Sequence, residues 1–194
     1  MGQKEAGRGF RFAFDEKKAT QATAIFITKS GGAINYMKLI KLLYLTNREA
    51  FARWGKPVIP DGYFSLPHGP ILTKVLSLIN EQLRPGTASF WNDHISAPEA
   101  YEIRLMSDPG SDELSVREAR LIDEVFAKFG NLNEWDLVDW CHRNLKEWKD
   151  PEGSCVEIDP AEILAATGWK DRDIVAQIEE ERTFQAERHA VNRA

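Results

Sequence analysis

Cysteine is scarce in this chain: only Cys141 and Cys155 occur among its 194 residues. Two thiols do not make a disulfide framework in a chain of this size, and reduced thiols suit the cytoplasm. Long apolar runs are missing as well. No stretch approaches the ~18–20 uninterrupted apolar residues of a membrane span. Met1 to Arg11 is basic but holds no apolar run and no small-residue cleavage site, so a cytoplasmic protein is expected. There is no internal repeat and no low-complexity tract. No Lys/Arg run is interleaved with aromatics, and the net charge is −5, so nucleic acid is not an expected partner.

What is present is an ordinary globular composition, 43 % hydrophobic and 28 % charged. That suffices for one domain with a sizeable core, burying about 70 % of the unfolded chain's surface. Charge is unevenly spread. Residues 1–41 carry eight Lys+Arg against three Asp+Glu, a net of +5, and the remainder carries a net of −10. This pattern fits a solvated surface with a basic arm, or one face that attracts an anionic partner and another that attracts a cationic one.

Helix signals dominate. Asp15 can cap a helix running to Lys29, with Ala19, Ala22, Ile25 and Phe26 at helical spacing, and Ser30-Gly31-Gly32 ends it. Asn35 can cap a second helix, in which Met37, Ile40, Leu43, Tyr44, Ala50, Phe51 and Trp54 form one stripe. Leu39, Leu42 and Leu45 widen that stripe, so this helix is expected at the centre of the core, stopped by Gly55 and Pro57. Tyr63 to Leu66 reads as a strand. Gly69-Pro70 reads as the start of a helix with Leu72, Val75, Leu76, Ile79 and Leu83 on one face, ended by Arg84-Pro85-Gly86. Residues 87–110 read as one or two short strands around Tyr101 to Leu105. Further helices start at Ser115 (a capping box with Glu118), Asn133, Asp159-Pro160 and Asp171. The expected fold is mainly α, of the α+β kind: a compact helical domain around a central buried helix, with a small antiparallel β element. Residues 1–14 are expected to be a mobile segment, 15–156 the domain, and 157–194 a helical extension packed on it.

The run Lys38-Leu39-Ile40-Lys41-Leu42-Leu43-Tyr44, the later His68-Gly69-Pro70, and the segment Trp140 to Trp148 containing His142 stand in an order and spacing that resembles the Panacea domain of SocA-like antitoxins. The likeness spans roughly Ala19 to Lys149, with Gly55 closing the first helix as in that family. Its motif positions here are Lys38, Lys41, Tyr44, Gly55, His68, Gly69, Pro70, His142 and Trp148. The resemblance implies a cognate protein toxin as partner and neutralisation by direct contact. The alternative it implies is an adaptor that delivers a toxin or other protein to a Clp-type protease. No catalytic residue, metal or cofactor is expected, and the oligomeric state stays open.

Individual residues admit two readings each. Lys41 sits among leucines on one face with Tyr44 and Arg48. It is either a snorkelling side chain covering the core, or a cation held beside a carboxylate of the partner or of the fold itself. His68, read as lying beside a helix N-terminus, is expected as a neutral, hydrogen-bonded ring that locks the corner; a general base would need a substrate within reach. Cys141 and His142 are adjacent, and a zinc site would need Cys155 and another histidine, so packing is the simpler role. Trp135, Trp140 and Trp169, with Arg48, are the candidate partner-binding residues, because exposed tryptophan and arginine dominate interfaces. Trp135 and Trp140 cannot both face one side of a regular helix.

Overall fold

A computed structural model of the chain describes residues 12–81 and 89–191. The segment before Phe12, the helix end expected at Arg84-Pro85-Gly86, and Leu83 lie outside the described residues.

Local caps set most of the helices. Helix α1 (Glu16–Lys29) is capped by the Asp15 side chain, which accepts from Lys18 N. Strand β1 (Ala33–Asn35) leads directly into helix α2 (Tyr36–Trp54), and Asn35 accepts from the backbone N–H groups of Met37 and Lys38. Every residue of α2 from Leu39 to Asn47 is buried, so this helix is the axis of the core. It packs against α1 on one side and, further round, against the elements introduced next. Gly55 ends it in the left-handed conformation, φ 73°. A Cβ there would lie 2.8 Å from the Trp169 ring, so glycine is required by both backbone and packing.

Strands β2 (Tyr63–Leu66) and β3 (Gly69–Leu72) form a hairpin closed by Pro67-His68. The helix expected to open at Gly69-Pro70 therefore starts later, as α3 (Thr73–Glu81). Two physical facts decide this. β3 is an edge strand, in the order β3-β2-β5, where a missing N–H does no harm. Gly69 takes φ 92°, a left-handed value that turns the chain into β3. The start of α3 is held by Asp61, whose carboxylate accepts from Lys74 N at 2.8 Å, Val75 N at 3.1 Å and the Thr73 hydroxyl at 3.0 Å. Replacing Asp61 with alanine leaves those N–H groups without their acceptor. The expected cost is about 1–2 kcal/mol, as for loss of a helix cap; an unchanged Tm would contradict this role.

The stretch read as strands alone also contains a short helix, α4 (Phe90–His94), whose Trp91 is wholly buried. Strand β4 (Glu102–Arg104) follows and pairs antiparallel with β1. Helix α5 (Val116–Phe129) carries the full Ser115–Glu118 capping box and lies on α1 and α2. Helix α6 (Glu134–Asn144) is capped by Asn133 and packs on α2 and β3. Strand β5 (Val156–Ile158), absent from the sequence expectation, pairs with β2 through Tyr63↔Ile158 and crosses the boundary drawn at residue 156. Helices α7 (Pro160–Ala166) and α8 (Asp171–Val191) complete the fold, α7 resting on α2 and α8 anchored by buried Ile174 and Ile178. The protein is mainly helical with small antiparallel sheets. No helix among the described residues is long and apolar enough to cross a membrane.

Candidate functional site

The motif residues meet where α2, the hairpin and the end of α6 converge. Lys41 is 1 % exposed, and its ammonium donates to the Pro70 carbonyl at 2.9 Å. A Cβ on Gly69 would sit 3.3 Å from Lys41 Cε and 3.6 Å from Cys141 Cβ. The lysine stem thus runs beneath the hairpin at the one residue without a side chain. The internal carboxylate partner considered for Lys41 is not there: among the described residues no Asp or Glu forms an ion pair with it. Burial accordingly lowers its pKa to about 8, and burial raises the neighbouring Cys141 thiol to about 11.

A carboxylate that does enter the core beside α2 serves other residues of the same helix. Glu147, its side chain fully buried, accepts at one oxygen from Arg48 Nε at 2.7 Å and from the Tyr44 hydroxyl at 3.1 Å. Arg48 is therefore tied inward. The Tyr44 hydroxyl is pushed well above its ordinary pKa by burial and then by Glu147. Next along the chain, Trp148 stacks on His142 at 4.0 Å and donates from Nε1 to the Leu66 carbonyl at 3.1 Å. Burial lowers the His142 pKa, and the Lys41 cation lowers it further. Six motif residues, Lys41, Tyr44, Gly69, Pro70, His142 and Trp148, thus form one latch between α2, the hairpin and the loop after α6. Gly55 lies at the opposite end of α2. Lys38 donates to the Gly130 carbonyl at 2.6 Å.

His68 is placed differently from the expectation. It stands exposed in the hairpin turn instead of beside a helix N-terminus, with its ring edge-on to Trp135 at 5.3 Å. These two residues rim a groove of about 650 Å³. The floor and walls come from Asn35, Tyr36, Met37, Ile40 and Lys41 of the α2 region and from Leu66, Pro67 and Ile71 of the hairpin. Leu76, Glu134 and Tyr101 complete the lining. Trp135 is 56 % exposed and Tyr101 71 % exposed. Tyr101 and the preceding Ala100 both have positive φ, 67° and 48°, in a two-residue turn closed by paired hydrogen bonds between Glu99 and Glu102. Turns of this kind favour Asn-Gly, because left-handed backbone costs about 1–2 kcal/mol for other residues.

The family model for the antitoxin SocA-like Panacea domain matches residues 39–149. The chain belongs to this family. No curated protein and no solved structure matches it. The matched span of the Panacea domain opens inside α2, so α1 and Lys38 precede it. It ends just after Trp148, so β5, α7 and α8 follow it. Both halves of the latch fall inside the span, as do Trp135 and Tyr101 of the groove.

The remaining residues singled out from the sequence are scattered over the chain, Trp140 within the matched span and Cys155 and Trp169 beyond it. Trp140 is half-buried, edge-on to Phe129 at 4.7 Å. Trp169 is half-buried and donates to the Ala52 carbonyl at 3.2 Å. Cys155 is exposed while Cys141 is buried, and among the described residues no three His, Cys, Asp or Glu side chains are grouped to hold a metal ion. Sequence reasoning missed Glu147 and Tyr101. The need for a buried counter-charge beside α2 was a usable signal for Glu147, although its partner is Arg48 instead of Lys41. Tyr101 offered only an aromatic in a β-like run.

Proposed function

We propose that this Panacea protein is an antitoxin that binds and neutralises a cognate protein toxin by direct contact, and that the groove between α2, the hairpin and α6 makes the contact. The observation that carries the reading is Tyr101, held 71 % exposed at the groove mouth by a turn of unfavourable backbone conformation. Strain of this kind persists where surrounding structure imposes it and is concentrated at functional positions. Trp135 on the opposite rim supplies the second large aromatic, the residue type that anchors interfaces. Nothing in the proposal requires turnover. The Cys141 thiol, raised to about 11, is the opposite of an activated nucleophile.

The test is coexpression with the product of the neighbouring gene. That product alone should stop growth, and this chain should restore it. Trp135→Ala should weaken the complex by about 2 kcal/mol, roughly 30-fold in Kd, while leaving the Tm unchanged. Growth arrest by no neighbouring product, or rescue by a chain that forms no complex, would remove the reading. If toxin half-life shortens only when a Clp-type protease is present, delivery replaces masking as the mechanism.

The strained turn gives a second outcome. Changing Ala100→Asn together with Tyr101→Gly should stabilise the fold by about 1–2 kcal/mol, because both positions then accept positive φ. The same double variant should bind the toxin more weakly. A variant that is both more stable and unimpaired in binding would show that Tyr101 is not an anchor.

A further inference from the structure

Lys41 is a buried cation, without a counter-ion among the described residues, at the floor of an open, apolar groove. Its ammonium has three N–H bonds and, among the described residues, one acceptor, the Pro70 carbonyl. Burial lowers the Lys38 pKa, and Glu134, the acid on the groove lining, opposes that in part; no influence of Glu134 on Lys41 is resolved. The first turn of α2, which opens onto the same groove, contains no acidic residue. The partial positive charge of that helix end is therefore uncompensated by any side chain of its own turn. An unpaired ammonium in such surroundings is costly unless a ligand completes it.

We propose that the groove seats a segment of the toxin polypeptide that lays apolar side chains against Trp135 and Tyr101 and directs a carboxylate to Lys41. The proposal rests on the antitoxin reading for the identity of the occupant. The chemistry follows from the site itself. A volume of about 650 Å³ lies within the range of ligand pockets and far exceeds one side chain. The aromatic rim removes apolar surface from water. The carboxylate supplies the charge that the fold withholds from Lys41. A bare apolar segment would leave the remaining N–H bonds of this already buried ammonium without an acceptor.

The minimal probe is N-acetyl-leucine, one apolar side chain with one carboxylate, compared with N-acetyl-leucinamide. Each is titrated into the full chain while the Trp135 indole N–H and the Ile71 and Tyr101 backbone N–H resonances of the groove are followed by NMR. The acid should bind at least roughly tenfold more tightly than the amide, the ratio expected of one charge-assisted hydrogen bond. Lys41→Met should erase the preference. The comparison on the unaltered protein needs no variant to fold, and Trp135→Ala, at an exposed position, should weaken both probes. Equal binding of acid and amide, or no shift with either, overturns the proposal. Rescue from the toxin is read separately. Rescue that survives Trp135→Ala and Tyr101→Ala, with no acid preference, discards the groove and keeps the antitoxin. An acid preference in a chain that rescues from no toxin keeps the groove chemistry and discards the antitoxin.

Discussion

Replacing Glu147 with alanine is expected to destabilise the protein by about 3–5 kcal/mol, the usual consequence of removing one partner from a buried ion pair. Glu147 Oε1 is shared by Arg48 Nε at 2.7 Å and the Tyr44 hydroxyl at 3.1 Å, and the Glu147 side chain is fully buried. Its loss leaves a guanidinium, 17 % exposed, with no anion and a buried phenol with no acceptor. For a chain of this length the Tm should fall by roughly 6–20 °C. Glu147→Gln retains an acceptor oxygen and should lose less. Arg48→Met alone strands the carboxylate and should cost nearly as much as Glu147→Ala, whereas the double replacement of Arg48 and Glu147 by apolar residues should recover much of the loss. Additive single and double effects would show that the pair is not coupled. Because Glu147 fastens the loop carrying Trp148, the variant should also loosen the hairpin, seen as faster hydrogen exchange at Leu66 and Gly69.

Lys41 should give the protein an alkaline rise in stability. In the unfolded chain this lysine titrates near 10.5, and burial in the folded protein lowers it to about 8. Between those values the unfolded chain keeps the proton and the folded protein does not. Protons therefore favour the unfolded state across that window, and raising the pH removes the penalty, by about 3 kcal/mol over the whole span. Cys141 works the other way. Its folded pKa of about 11 exceeds its ordinary 9.0, so its contribution falls as pH rises from 9 to 11. The buried Tyr44 and Tyr63 hydroxyls, both raised, add to that fall at higher pH. The lysine effect is therefore read as the difference between the unaltered chain and Lys41→Met, most cleanly between pH 8 and 9. At neutral pH the variant escapes the burial cost of the ammonium but leaves the Pro70 carbonyl unpaired at about 1–3 kcal/mol, so the two proteins should be close in stability. Denaturation curves that run parallel for both from pH 7 to 10 would show that Lys41 is not a destabilising charge. The combination of near-neutral stability cost and loss of acid binding would mark Lys41 as a residue kept for its partner.

Elements whose signals lie within one helical turn were legible. Asp15, Asn35, Ser115, Asn133 and Asp159 each accept from a backbone N–H two or three residues ahead, so the chain spells out those helix starts locally. The central position of α2 was legible too, because leucines and isoleucine on all of its sides can only be satisfied by burial on all sides. Elements that depend on distant partners were not. α3 is held by Asp61, twelve or more residues upstream of the groups it accepts from. β5 exists because β2 offers it an edge, more than ninety residues away in the chain. The segment at Gly69-Pro70 satisfies the rules for a helix start and for an edge strand equally well. Pairing with Tyr63 to Leu66 chose the strand.

The locally capped helix starts, the core helix and the family were written in the chain order alone, since these reside in spacings of a few residues and in a motif order that survives in one dimension. Which charges are answered and which are left open was settled by the packing of distant elements. Arg48 and Lys41 lie on the same face of α2, seven residues apart. Glu147 reaches the first, and among the described residues no carboxylate pairs with the second. A counter-charge is found in three dimensions or not at all, because electrostatic compensation depends on distances of a few ångströms between elements that the chain order does not relate.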